Sequence, residues 1–173
     1  MTISERVEEI RSRIGETTVV AASKGASAQA IREAYAAGIR HFGENYLQEA
    51  LAKRDECPSD ATWHFIGRLQ SNKISKVAAS FGVVQTVDSV AKARKLSAAT
   101  SKQMSVFLEV NIAEEPQKAG CLPGNVSEIA KIVYDLDSLR LIGLMTMGPE
   151  NPNAEEARPY FIRMRKLIES LAM

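Results

Sequence analysis

Six times along this chain a short apolar run is followed by a stretch with helical periodicity, and no other feature limits the possible folds as strongly. The runs are "VVAAS" at 19–23, "RHFGE" at 40–44, "WHFIG" at 63–67, "VVQTV" at 83–87, "MSVFLEVN" at 104–111 and "RLIGLMTM" at 140–147. Runs of this length, rich in β-branched and aromatic residues and bounded by glycine or polar clusters, read as strands. The periodic stretches between them, at 28–38, 45–56, 69–82, 89–102, 126–136 and 154–173, read as helices. Strands alternating with helices give a parallel sheet with right-handed crossovers, either an open doubly wound sheet or a barrel. A complete barrel has eight such units in about 250 residues, whereas this chain offers six in 173. No linker or low-complexity run divides it, so a single domain over residues 1–173 is expected.

Local punctuation supports the alternation. Ile3, Val7, Ile10 and Ile14 fall on one face of an opening helix that Gly15 stops. Ser27 suits the N-cap of the helix that follows the first strand, and Gly38 suits its end. Pro159 falls near the start of the last helix, where its ring is tolerated or kinks the backbone.

Charge and composition narrow the function classes. Twenty-two basic residues against 21 acidic ones leave a net charge of +1, which gives no electrostatic case for a nucleic-acid or membrane partner. Cys57 and Cys121 have no metal-ligand spacing and read as reduced thiols. No signal-peptide pattern or 18-residue apolar run occurs, so a cytoplasmic protein is expected. Neither GxGxxG nor GxxxxGK[ST] is present, which removes the nucleotide-binding versions of the open sheet.

In parallel α/β folds the chemistry gathers at the carboxyl ends of the strands. Those ends carry Lys24; Glu44 and Asn45; Gly67 to Gln70; Asp88; Glu109 and Asn111; and Thr146. Lys24 is the least expected of them. Alternation along a strand puts it on the face of Val20 and Ala22, where an amine either escapes to solvent or is kept to react. A neutral amine attacks an aldehyde, and desolvation favours that form, so an aldehyde cofactor is the natural guess. His64, between Trp63 and Phe65, reads as a hydrogen-bonded core histidine and not a metal ligand. Glu109 and Asn111 read equally as a satisfied polar cluster, and the basic residues Lys92, Arg94, Lys95 and Lys102 as a solvated face.

Taken together, "AASK" at 21–24, "AYAAGIRHFGENYLQEALAK" at 34–53, "WHFIGRLQSNK" at 63–73, "VDS" at 87–89, "EVNIAEEPQKAG" at 109–120 and "GLMTM" at 143–147 resemble the pyridoxal 5′-phosphate homeostasis proteins. That family's fold is similar to the (β/α) TIM-barrel domain of alanine racemase. The resemblance implies a cytoplasmic protein that holds pyridoxal 5′-phosphate as a Schiff base on Lys24. It also implies that Asn45 lies near the cofactor ring, with His64 and Met145 lining the barrel interior beneath it. Such proteins bind, store or deliver the cofactor in vitamin B6 homeostasis, and no catalytic residue is expected.

Members of the family continue past the point where this chain ends at "ESLAM", with "SMGMS"-like and "RIGxxxFG"-like segments that hold the phosphate and set an arginine against the pyridine nitrogen. The expectation is therefore an incomplete barrel of about six of eight units, with weakened phosphate binding. Strand edges left open invite self-association. Two alternatives compete with the carrier: an amino-acid racemase-like enzyme, disfavoured because no residues remain for a second domain bearing a tyrosine base, and a non-binding interaction fragment.

Overall fold

The computed structural model describes residues 1–149 and 153–171. Six parallel strands follow chain order, β1 (Val20–Ala22), β2 (His41–Glu44), β3 (Thr62–Phe65), β4 (Val83–Val87), β5 (Met104–Glu109) and β6 (Leu139–Met145). An opening helix α1 (Ile3–Ile14) precedes them, and α2 (Ala28–Ala36), α3 (Leu47–Arg54), α4 (Ile74–Ser80), α5 (Val90–Ala99), α6 (Val126–Tyr134) and α7 (Ala154–Ser170) each follow one strand. The backbone groups into two compact units, Met1–Gly67 with Ser80–Val83, and Arg68–Ala79 with Val84–Met173.

In the first unit, β1 pairs with β2 through Val20↔His41 and Ala22↔Gly43, and β2 pairs with β3 through His41↔Thr62 and Gly43↔His64. Because side chains alternate, Phe42, Glu44, Trp63 and Phe65 share the face opposite to His41, Gly43 and His64. Phe42 meets Trp63 at a tilt of 37° with centroids 5.8 Å apart, and Phe65 meets Phe81 edge-on at 5.2 Å. All four are buried, a geometry that favours aromatic pairs beyond their area alone.

The caps read from the sequence are present. Ser27 Oγ accepts from the Ala30 amide, Gly38 takes φ +95° just past α2, and Gly15 takes φ +60° after α1. Thr2 and Glu5 also form a reciprocal capping box. No residue of α1 is buried. It is fastened instead by the Arg11 guanidinium, which donates to the Gly38 carbonyl at 2.7 Å.

Several elements are shorter than the patterning suggests. The first strand stops at Ala22; as an edge strand it has Val20 and Ala21 half-buried and Ala22 exposed. The stretch 69–82 is helical only from Ile74, because residues 68–73 form a loop and a turn closed by the Lys73 amide on the Gln70 carbonyl at 2.9 Å. Leu69 anchors that loop by being 1% exposed, so its apolar character serves burial and not helical periodicity.

The second unit has its core where β5 alternates buried Met104, Val106 and Leu108 with half-exposed Ser105, Phe107 and Glu109. Val126, Ile129, Ala130 and Val133 of α6 are also buried. The β5–β6 register shifts between Val106 and Phe107, leaving Gly143 opposite Phe107. A Cβ at Gly143 would lie 3.0 Å from that ring, which explains the absence of a side chain there. Pro159 is the sixth residue of α7, further in than the first turn, and the helix runs on through it.

Candidate functional site

The carboxyl end of β1 is a tight turn. The Ala26 amide donates to the Ser23 carbonyl at 2.9 Å, and Gly25, third in the turn, has φ +72°. A turn with positive φ at that position favours glycine. Lys24 is the residue between, and it is exposed. Of the two fates that the sequence leaves open for Lys24, the structure shows the exposed one: the strand ends two residues earlier, and the turn lifts Lys24 into solvent. Among the described residues, its amine has no hydrogen bond or ion pair.

Asn45 stands beside this turn. Ala22 and Gly43 are register partners, so Lys24 and Asn45 each lie two residues beyond the same rung. Asn45 is half-buried, and its Oδ1 is fully enclosed with no hydrogen-bond partner among the described residues. Gly67 allows the two backbones to pack closely here, since a Cβ there would come within 2.1 Å of the Asn45 carbonyl oxygen.

His64 lies deeper on the same face of the strands as Gly43. It is 5% exposed, and its Nε2 lies 2.9 Å from His41 Nδ1. Burial first, and then the neighbouring His41, push His64 down from 6.5 to about 4. Among the described residues no group of three or more His, Cys, Asp or Glu could hold a metal. Met145 closes β6 in the second unit and is half-buried.

Other residues at strand ends have local partners. Lys92 pairs with Asp88 at 2.5 Å, and Thr146 Oγ1 donates to the Val110 carbonyl at 2.7 Å. Asn111 is buried and folds the next turn by exchanging hydrogen bonds with the Glu115 backbone at 2.7 and 3.1 Å. Glu109 is held above the usual carboxylate range by burial first and then by the charge of Asp88.

The whole-chain comparisons agree with this architecture. Residues 2–173 match the alanine racemase N-terminal domain family. A pyridoxal phosphate homeostasis protein of Pseudomonas aeruginosa is 41% identical over 187 residues, covering 98% of this chain and 80% of that protein. The chain belongs to the pyridoxal phosphate homeostasis protein family. The Schizosaccharomyces pombe protein of the same name is 40% identical, with 98% of this chain and 77% of that protein covered. Among solved structures, PipY of Synechococcus elongatus superposes with a TM-score of 0.91 without PLP, at 37% identity over 98% of this chain and 82% of PipY. PipY with PLP bound gives 0.87 at 36% identity, with the same shares covered. Alanine racemase of Corynebacterium glutamicum, at 14% identity and a TM-score of 0.77 over 98% of this chain and half of its own, shares the fold alone.

The sequence reading passed over what lies under the Lys24 turn in this family member. Lys53 of α3, 10% exposed, puts Nζ 2.5 Å from Oε1 of fully buried Glu44 and 2.7 Å from the Ser23 carbonyl. Ser23 Oγ donates to the same Glu44 oxygen at 2.8 Å. Glu49, one turn before Lys53, accepts from the Gly25 amide at 3.0 Å. The i,i+4 spacing of Glu49 and Lys53 was the available signal. It ordinarily marks an exposed ion pair, and nothing local shows that this lysine turns inward.

Proposed function

We propose that this chain binds pyridoxal phosphate covalently through Lys24 and acts in its homeostasis as a carrier, not as a catalyst. The observation that carries the reading is the pairing of an exposed, unpartnered amine at Lys24 with the enclosed, unpartnered Oδ1 of Asn45 two residues past the same rung. A buried acceptor without a donor costs free energy in the empty protein, and a ligand donor removes that cost. The group fits these residues: it supplies an aldehyde carbon for the amine and hydrogen-bonding ring substituents for the amide. The relatives' name and the PLP held by PipY support the choice of cofactor.

The chain's own residues divide the work. Lys24 is the nucleophile, and its exposure leaves the amine open to an incoming aldehyde. Asn45 orients the ring. His64 enters through the family resemblance as a residue of the interior beneath it. Residues 1–173 serve as one cofactor-binding domain in this reading, within the cytoplasm. Among the described residues no helix is long and apolar enough to cross a membrane. Among the described residues β1 pairs only with β2, and β6 only with β5, so each offers an edge for self-association. A concentration-dependent sedimentation coefficient is the expected sign of it.

The test is an absorbance spectrum after incubation with pyridoxal phosphate and gel filtration, beside Lys24→Ala. A visible band that survives filtration and is lost in the variant supports the assignment. A band retained by Lys24→Ala, or none in either protein, refutes it.

A further inference from the structure

Three features outside the proposed ligand contacts converge on one short segment. Lys53 donates to the carbonyl of Ser23, the residue before Lys24, at 2.7 Å. Glu49 accepts from the amide of Gly25, the residue after Lys24, at 3.0 Å. Glu44 accepts from the Ser23 hydroxyl at 2.8 Å, and the Ser23 amide donates to the Gly43 carbonyl at 2.9 Å. The backbone on both sides of Lys24 is thus tied to α3 and β2, while the Lys24 side chain itself is untied.

We propose that Glu49 and Lys53, with Glu44 behind them, are positioning residues that clamp the turn carrying Lys24 and so fix the point from which its amine reaches an aldehyde. The inference rests on the functional reading above and assigns it residues that touch no ligand. A lysine amine rides on a four-carbon stem with many rotamers, so its encounter with a bound carbonyl depends on where the stem begins. An edge-strand turn with a glycine at positive φ does not hold that point by itself. Hydrogen bonds in which one partner is ionised are the strong class, and both α3 contacts are of that class. Lys53 also fills the second acceptor site of a carbonyl whose first is taken by the Ala26 amide, so the turn closes and is clamped at one atom.

Glu49 is the residue to change, because its side chain is 41% exposed and its loss need not unfold the protein. The experiment compares the full chain with Glu49→Ala, Glu49→Gln and Lys24→Ala. One readout is hydrogen exchange at the Gly25 amide. The other is the rate at which pyridoxal phosphate followed by borohydride labels Lys24, located by peptide mapping. Glu49→Ala is expected to speed Gly25 exchange and to slow labelling, each by about tenfold, the worth of one hydrogen bond to a charged group. Glu49→Gln keeps an acceptor oxygen and is expected to recover part of both losses. Unchanged Gly25 exchange in Glu49→Ala overturns the clamp. Faster exchange with unchanged labelling overturns the positioning role, because the turn would then be ordered to no effect on the amine. No Lys24 label in the unaltered protein overturns the functional reading itself and leaves the exchange measurement to decide the clamp.

Discussion

Removing the Lys53 amine should be among the most damaging single changes in the first unit. Glu44 is fully buried, its Oε1 is held by Lys53 and Ser23, and its Oε2 has no hydrogen-bond partner. In Lys53→Met the stem stays packed but the cation is gone, leaving a buried carboxylate with a single hydroxyl donor. Stranding one member of a buried ion pair costs about 3–5 kcal/mol. For a chain of this length each kcal/mol lowers the melting temperature by about 2–4 °C, which makes the expected drop roughly 6–20 °C. The paired variant Glu44→Leu/Lys53→Met removes both charges and keeps the volume. Ser23 retains the Ala26 amide on its carbonyl and the Gly43 carbonyl for its hydroxyl, so little else is orphaned. Replacing both partners of such a pair by apolar groups is often close to neutral, and the double variant should recover most of the loss. Urea unfolding with a common m-value measures all three proteins, and the pair's coupling follows from the cycle. A loss below about 1 kcal/mol in Lys53→Met, or a double variant no more stable than the single one, refutes the view that an uncompensated buried charge is the cause.

Three further outcomes are expected. His64 is held at about 4 in the fold against 6.5 when free, so the unfolded chain binds the extra proton; stability is full above pH 6.5 and falls as the pH drops toward 4. Urea midpoints across that window should show a flatter pH dependence in His64→Gln. Gly67→Ala drives a Cβ to 2.1 Å from the Asn45 carbonyl oxygen; strain of this kind costs about 1–3 kcal/mol, and displacement of Asn45 should weaken pyridoxal phosphate retention in the gel-filtration assay. Burial pushes the Cys121 thiol up to about 11, whereas Cys57 is less buried and is raised as well. A disulfide reagent should therefore modify Cys57 first in the native protein and reach Cys121 only with denaturant.

How much of this was legible before the fold was seen depends on the range of the interaction that decides each feature. The six strand and helix units, the opening helix and its glycine stop, and the Ser27 cap are set by periodicity and capping over a few residues, and the sequence carries them openly. The motifs around Lys24, Asn45 and "WHFIG" likewise pointed to the family without any coordinates. The helix expected from Leu69 is a counterexample. Leu69 is apolar because it is buried as a loop anchor, and periodicity cannot distinguish that from a helical face.

Tertiary structure alone decided which polar residues meet. His41 and His64 lie 23 positions apart and come within 2.9 Å because β2 and β3 pair in one register. Lys53 looks like the exposed end of an amphipathic helix until α3 turns it onto Glu44 and Ser23, 9 and 30 positions away. Of the two fates open to Lys24 the fold shows the exposed one, while Lys53, which the sequence did not single out, is buried. Local sequence sets which backbone shapes are cheap, but desolvation is a property of everything packed around an atom, so the fates of the two lysines were settled by the register of β1 and β2 and the docking of α3.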